Sequence, residues 1–431
     1  MTRLDGALRA AALSLMLALS PAPADADAGR LAERLAAAGL ETIRVSADSL
    51  GCRIEVENRR FRDQNFALGV VAALAFEESP GPCEVLVLSQ GVPVARVRFD
   101  SREWDRAARG ELPLAALGEH LGIQLLPRGG RLPGAALSPA VRRFDIVPRI
   151  RLDSQFGHLR EPVLYHLEIT PELSTQAWRG ALLRVSFAMP LPHGNDIPPD
   201  ALQTDYNRSR PEEAALYQVF RTPGGGLGSL SGGYFGANRY GLSAGWGRAL
   251  GGHAYLDASV DVTGSLAFFP EVSYSNMSRV TFIGALVLRP SSPDLVLTLR
   301  GGRYLIGQAG GGAGEYAFRA ELDRRFHQVE VGAFATSSES NRYGGIRLSV
   351  PLPPIVRLRP AAIRPNLMAR FPVEYRTDEG QFELAPTDLR LRSDLLDDLW
   401  PSAVRTRLDR WIDGWNWARP GVPGSRVGDS K

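Results

Sequence analysis

The stretch HAYLDASVDVT, residues 253–263, alternates without a break. Ala254, Leu256, Ala258, Val260 and Val262 fall on one side, and His253, Tyr255, Asp257, Ser259, Asp261 and Thr263 on the other. Period two is the signature of a strand with one apolar and one polar face. The run is long enough to cross a hydrocarbon layer as a tilted strand, which takes about ten residues. Three more runs repeat the pattern. Val163, Tyr165, Leu167 and Ile169 alternate with polar neighbours, as do Tyr316, Phe318, Ala320 and Leu322. Ile346, Leu348, Val350 and Leu352 do the same. In the second of these the polar side carries Arg319 and Glu321, charges of both signs.

Working outward, about a dozen such segments fill residues 144–386, divided by Gly-, Pro-, Asn- and Ser-rich turns. One face pairs Tyr240, Leu242, Ala244 and Trp246 against Gly241, Ser243, Gly245 and Gly247. Small inward residues opposite a large apolar outer face suit a barrel with a wet lumen and a lipid-facing wall. The fold expected is therefore mainly β: an antiparallel outer-membrane β-barrel of about 12 strands. Arg184, Arg300, Arg319, Glu321 and Arg347 are its candidate lumen-lining residues. A soluble β-sandwich or barrel shows the same alternation and is the competing reading.

Residues 29–125 have another texture. Leu31, Leu35 and Leu40 make a short helical stripe, and strands are expected at 42–47 and 52–58. A second helix follows at 66–76, then strands at 83–89 and 92–99. This αββαββ order predicts a small sheet covered by helices. Cys52 and Cys83 are the only cysteines of the chain, each opens a strand of this domain, and a disulfide between them is expected. A linker is expected over 126–143. Residues 387–431 form a C-terminal region in which Leu396, Trp400, Val404, Leu408, Trp411 and Trp415 recur at helical spacing. Such a helix either lies amphipathically at a membrane surface or packs its Trp face on the N-terminal domain.

Residues 1–28 read as a secretory signal peptide. Arg3 and Arg9 precede the apolar run 10–19, and Ala26-Asp27-Ala28 offers a cleavage site. Export implies an oxidising compartment, and a barrel then implies the outer membrane of a Gram-negative cell with residues 29–125 in the periplasm. The charge balance, 50 basic against 47 acidic residues, opposes a nucleic-acid role.

Little in the chain predicts chemistry. Gly241-Leu242-Ser243-Ala244-Gly245 matches a nucleophile elbow, but that motif works at a strand-to-helix turn, whereas here it sits within an alternating run. The Gly-rich stretches 224–228 and 310–314 lack a phosphate-loop ending. The six histidines show no metal-ligand spacing. No catalytic residue, cofactor or metal is expected.

Glu57-Asn58-Arg59-Arg60-Phe61-Arg62 followed by Ala67-Leu68-Gly69 resembles a stretch of the YjbH-like exopolysaccharide biosynthesis proteins. Gly302-Arg303-Tyr304-Leu305, residues 324–336, 346–353 and 376–381 are similar to the same family. The resemblance implies an outer-membrane barrel that assists export or assembly of an exopolysaccharide or capsule. Its expected partners are outer-membrane lipid, the exopolysaccharide and other proteins of its export machinery. Larger members resemble two barrels in tandem, whereas this chain has room for one. The rival functions are an outer-membrane hydrolase acting on lipid or glycan, and a general diffusion porin or structural envelope protein.

Overall fold

The computed structural model describes residues 23–48, 51–128, 131–156, 163–191, 208–236, 238–290, 294–305, 314–326, 328–339, 342–376 and 396–419. The apolar run 10–19 and residues 377–395 and 420–431 lie outside them. The expected cleavage site, 26–28, stands inside the first helix.

The N-terminal domain runs α1 (Pro23–Ala37), β1 (Glu41–Asp48), β2 (Gly51–Glu57), α2 (Gln64–Glu78), β3 (Pro82–Ser89), β4 (Val92–Asp100), α3 (Ser101–Ala108), α4 (Leu114–His120) and β5 (Gly122–Leu125). The expected αββαββ order is present, followed by α3, α4 and β5. The five strands pair in sequence order, and only β2 and β3 are parallel. That pairing sets Cys52 opposite Cys83, and the two are joined by a disulfide.

Helix α2 is apolar all round, as expected of a helix buried on every side. Residues from Asn65 to Ala75 are all buried, and the Asp63 side chain caps the helix by accepting from the Asn65 and Phe66 amides. One side of α2 covers the sheet. The other is covered from the far end of the chain by a 3-10 turn (Asp397–Leu399), α5 (Pro401–Thr406) and α6 (Leu408–Ala418). Gly69 and Gly414 allow α2 and α6 to touch backbone to backbone. A Cβ at Gly69 would stand 2.0 Å from the Trp411 carbonyl oxygen, and one at Gly414 would stand 2.0 Å from that of Phe66. Trp411 then stacks on Trp104 at 4.5 Å and donates from Nε1 to Asn65 Oδ1 at 3.1 Å. The Trp face of the C-terminal helices thus completes the N-terminal core.

The rest is one large sheet: β6 (Phe144–Phe156), β7 (Val163–Trp178), β8 (Ala181–Pro190), β9 (Arg210–Arg221), β10 (Leu227–Gly236), β11 (Arg239–Leu250), β12 (Ala254–Ala267), β13 (Ser273–Tyr274), β14 (Arg279–Leu288), β15 (Leu295–Leu305), β16 (Gly314–Phe326), β17 (Val329–Ser338), β18 (Arg342–Pro351), β19 (Ile363–Pro365) and β20 (Arg370–Arg376). Neighbours in sequence pair antiparallel from β6 to β12, β14 follows β12, and the order continues to β18 and then β20. Thirteen of the described strands have seven or more residues, one above the expected dozen.

The two ends of this path meet through the chain itself. β19 pairs with β6 in parallel, and β20 pairs with β18. Between them Asn366 donates its amide to Ile146, while Ala369 accepts from Leu352. No ladder among the described residues joins β6 to β20, so the hydrogen-bonded path is not closed.

The alternation read from residues 253–263 is realised side by side in β12. Tyr255, Asp257, Ser259, Asp261 and Thr263 are buried, whereas Leu256, Val260 and Val262 are exposed. Across the sheet Leu242 is 60% exposed and Phe318 51%, while Asp261 and Glu168 are fully buried and Glu321 is 2% exposed. The sheet hides charge and shows hydrocarbon.

Candidate functional site

The six-residue segment from Glu57 to Arg62 leaves β2 and turns into α2, and Arg59, Phe61 and Arg62 in it fasten the small domain to the rest of the molecule. Asn58 closes the turn on itself: its Oδ1 accepts from the Phe61 amide at 2.9 Å, and its Nδ2 donates to the Phe61 carbonyl at 3.0 Å. Past that fold-back Arg59 and Arg62 reach the large sheet, while the Arg60 side chain packs over Gly39. Arg59 ion-pairs with Asp145 on β6 and with Glu41 on β1. The backbone of Phe61 pairs with that of Val356, with Arg62 donating to Ile355 and Arg357 to Arg60. Arg62 reaches the Leu352 carbonyl and Gln328 at the strand ends. The Phe61 ring lies 5.3 Å from Phe66 and 5.2 Å from Trp417.

A second fastening comes from the C-terminal turn. Asp398 accepts from Arg325 at 3.0 Å and from Arg407 at 2.7 Å, tying the sheet to α6. Burial alone would raise its pKa, but the two guanidiniums outweigh burial and hold it at about 2. Asp63, beside it, is pushed up by burial and by the charge of Asp398. Burial also raises Glu57, which accepts from Thr42 Oγ1 at 3.2 Å and from the Gly91 amide at 3.0 Å. Trp400 completes the seam, edge-on to Tyr255 of β12 and beneath the Arg289 guanidinium. One hydrophobic cluster runs from α2 through Trp400 to Tyr255, Val219, Leu227 and Val287 at the strand ends.

Two polar cavities flank this seam. The larger, of about 520 Å³, opens between Arg62, Asp63, Asp398 and Arg407 on one side and the inner faces of β15–β18 on the other. The smaller, of about 310 Å³, lies between the β2–α2 turn, the β3–β4 turn and β6–β8. They share Arg62 and Asp398 as a common wall.

Four of the five candidate lining residues meet on the inner face above the larger cavity. Arg319 donates to Glu321 at 2.6 Å, Arg347 reaches both Glu321 at 3.3 Å and Asp323 at 2.5 Å, and Arg300 lies 3.9 Å from Glu321. The strand register produces this, because Arg300 faces Arg319 and Arg347 faces Gly332, the neighbour of Asp323. Arg184 stands apart on β8, 3.6 Å from both Glu172 and Glu213 and over the Tyr217 ring. Charges of both signs alternate on these inner walls, so the surface suits a hydrated, polar occupant better than an apolar one.

Ser243 of the Gly-x-Ser-x-Gly match sits in the middle of β11, which continues to Leu250 and turns into another strand. The strand–turn–helix setting such a serine needs is absent there. Among the described residues no cluster of His, Cys, Asp and Glu could hold a metal ion. Sequence reading quoted Arg62 and Arg325 in motifs of the family resemblance and placed Arg407 among the C-terminal helices, but gave none of them a role at this seam, and it did not single out Asp398.

A model of the YjbH family, described as exopolysaccharide biosynthesis protein YbjH, matches residues 8–196. The match takes in the N-terminal domain, the fastening turn and β6–β8. A comparison with curated proteins found no match.

Proposed function

From the YjbH-like character of residues 8–196, we propose that this protein is an outer-membrane β-barrel that assists export or assembly of an exopolysaccharide and is not itself an enzyme. The observation that carries the reading is the inverted surface of the large sheet. Exposed Leu242, Val260, Phe318 and Ile346 alternate along their strands with inward Ser243, Asp261, Arg319 and Arg347. In water such an apolar wall would far exceed the few hundred Å² a soluble monomer tolerates. In a bilayer it is the lipid-facing band, and the charged inner face is the lumen. The approach of β19 to β6 and of β20 to β18 supports closure of that wall into a barrel.

Orientation follows from the connections. Two of the turns facing the α/β domain, β7–β8 and β16–β17, are two residues long. The longest connection, between Pro190 and Arg210, is at the opposite end. Outer-membrane barrels carry short turns on the periplasmic side, which supports a periplasmic setting for the α/β domain. Its seam with the strand ends occupies that mouth, an arrangement better suited to controlled passage than to general diffusion. The mid-strand position of Ser243 weighs against a hydrolase.

Two measurements test the reading. The detergent-extracted protein should come from the outer-membrane fraction and migrate faster on gels before heating than after. Deletion of its gene should reduce surface polysaccharide. A periplasmic protein without a heat-dependent shift would sink the barrel, and unchanged amount and location of polysaccharide would sink the export role.

A further inference from the structure

The smaller junction cavity contains polar groups that the fold leaves unsatisfied. Gln176, on β7, is 4% exposed, and its Oε1 is buried without a hydrogen-bond partner. Gln90, at the β3–β4 turn, has a buried Oε1 in the same condition. Both line the cavity, as does Arg357. Arg357 donates its backbone amide to Arg60, but among the described residues its guanidinium makes no hydrogen bond or ion pair.

The acids of the wall give Arg357 no direct partner among the described residues: Asp145 acts on it only through its charge, and each acid is hydrogen-bonded elsewhere. Asp145 accepts from Arg364 at 2.6 Å and from Asn366 at 3.1 Å, and is paired with Arg59. Asp398 is held between Arg325 and Arg407. Glu57 is taken up by Thr42 and the Gly91 amide. Burial first, and then Arg364, disfavour the charge on Arg357, with Asp145 opposing them, and the cavity beside the guanidinium has room for an anion.

The missing occupant must therefore bring one anionic group for Arg357 and hydrogen-bond donors for two amide carbonyls. A halide or sulfate supplies the first but not the second, and phosphate, with one or two hydroxyls on a single centre, is compact for reaching both amides. A hydroxylated carboxylic acid supplies both, and 310 Å³ lies at the lower end of ligand-pocket sizes, about 300–1,000 Å³. We infer that this cavity binds an acidic sugar residue of a polysaccharide, its carboxylate on Arg357 and its hydroxyls on Gln90 and Gln176. The inference rests on the export reading for its biological setting and on the cavity alone for its chemistry. Because the cavity shares a wall with the larger one, a chain held here borders the charged inner face of β15–β18.

The test uses the full-length protein in detergent, titrated with trigalacturonate, triglucuronate, maltotriose and sodium phosphate by calorimetry. At least one of the uronates should bind, and maltotriose and phosphate should bind at least tenfold more weakly. Arg357→Gln should weaken uronate binding about tenfold or more, the scale of a lost charge-assisted bond. Gln176→Leu, which leaves every ion pair in place, should weaken it several-fold. Heat-dependent mobility on gels identifies variants that still fold. Equal affinity for maltotriose, binding of phosphate as tight as uronate, no uronate binding, or unchanged affinity in both folded variants would overturn the inference. These results are independent of the gene deletion. Uronate binding with no polysaccharide phenotype would sink the export role alone, and a clear phenotype without uronate binding would sink the site alone.

Discussion

Replacing Gly69 by Ala puts the backbone crossing of α2 and α6 to the test. The added Cβ would stand 2.0 Å from the Trp411 carbonyl oxygen, 2.7 Å from its carbonyl carbon and 2.8 Å from its Cα, all backbone atoms that no rotamer change can move. Relief to an ordinary separation of about 3.4 Å requires the helices to part by more than about 1 Å, enough to forfeit a quarter to a half of the contact attraction across the gap. The side chains carried by that gap are Trp411 and Trp415, both almost fully buried. Truncating a buried Trp costs about 3–5 kcal/mol, so partial loss at two of them amounts to roughly 2–4 kcal/mol. Against this stands the gain of about 1 kcal/mol from removing a mid-helix glycine. The net expected is a loss of about 2 kcal/mol. It should appear as a lower urea midpoint for the tryptophan fluorescence transition of the full chain in detergent, together with earlier proteolytic release of the C-terminal helices. Gly284→Ala is the matched control, because its Cβ would meet only the Gly301 carbonyl at 3.9 Å and the change should stay within about 0.5 kcal/mol. A Gly69→Ala protein with wild-type midpoint and a protected C-terminus would refute the close-crossing argument.

Asp398 makes a pH prediction. Its pKa of about 2 lies below the ordinary 3.8, so its contribution is complete above pH 3.8 and is lost as pH falls toward 2. With the side chain 31% exposed, that contribution is about 1–2 kcal/mol. Asp398→Asn should flatten acid unfolding of the seam in this window, and an unaltered profile would deny the pairing. Glu57 works with the opposite sign, since its raised pKa makes stability rise as pH falls toward the unfolded value. Glu57→Gln should therefore be neutral or stabilising at pH 7 in thermal unfolding, while Glu57→Ala destabilises. Reduction of the Cys52–Cys83 bond, which spans 31 residues, should cost the α/β domain about 3–4 kcal/mol on the chain-entropy estimate, read as the shift in urea midpoint with and without reductant. Val260→Arg, on the outer face of β12, should cost about 2–4 kcal/mol of folding stability in lipid vesicles if the sheet spans the bilayer, and almost nothing if it is soluble.

The large sheet was legible because its message is redundant. A one-residue slip anywhere in β12 would put Asp257 and Asp261 on the apolar side, so the period of the sequence determines which face is which. Helix α3 was harder to see: Ser101 follows β4 directly, and its eight residues carry Trp104 and Ala107 as their buried side chains. β19 and β20 were unreadable as edge elements because three to seven residues around prolines carry no period. Of the candidate site, the Asn-Arg-Arg-Phe-Arg run could be singled out, but its use could not. Phe61 meets Val356, and Arg62 meets Gln328, across more than 260 residues of chain. Contacts that distant are set by how two finished parts dock, which no local pattern encodes. Arg357 and Gln176 went unnoticed for the same reason. Only the packed seam leaves them without partners.

The burial of α2 beneath α6 has a consequence for how the molecule is made. Helix α2 cannot be covered on its outer side until α6, more than 300 residues later, has been synthesised and delivered, because Trp411 and Gly414 are the residues that seal it. Until then the apolar back of α2 is open to chaperones and proteases. A chain stalled or truncated anywhere before Leu408 therefore leaves one side of α2 uncovered, however well its sheet has formed.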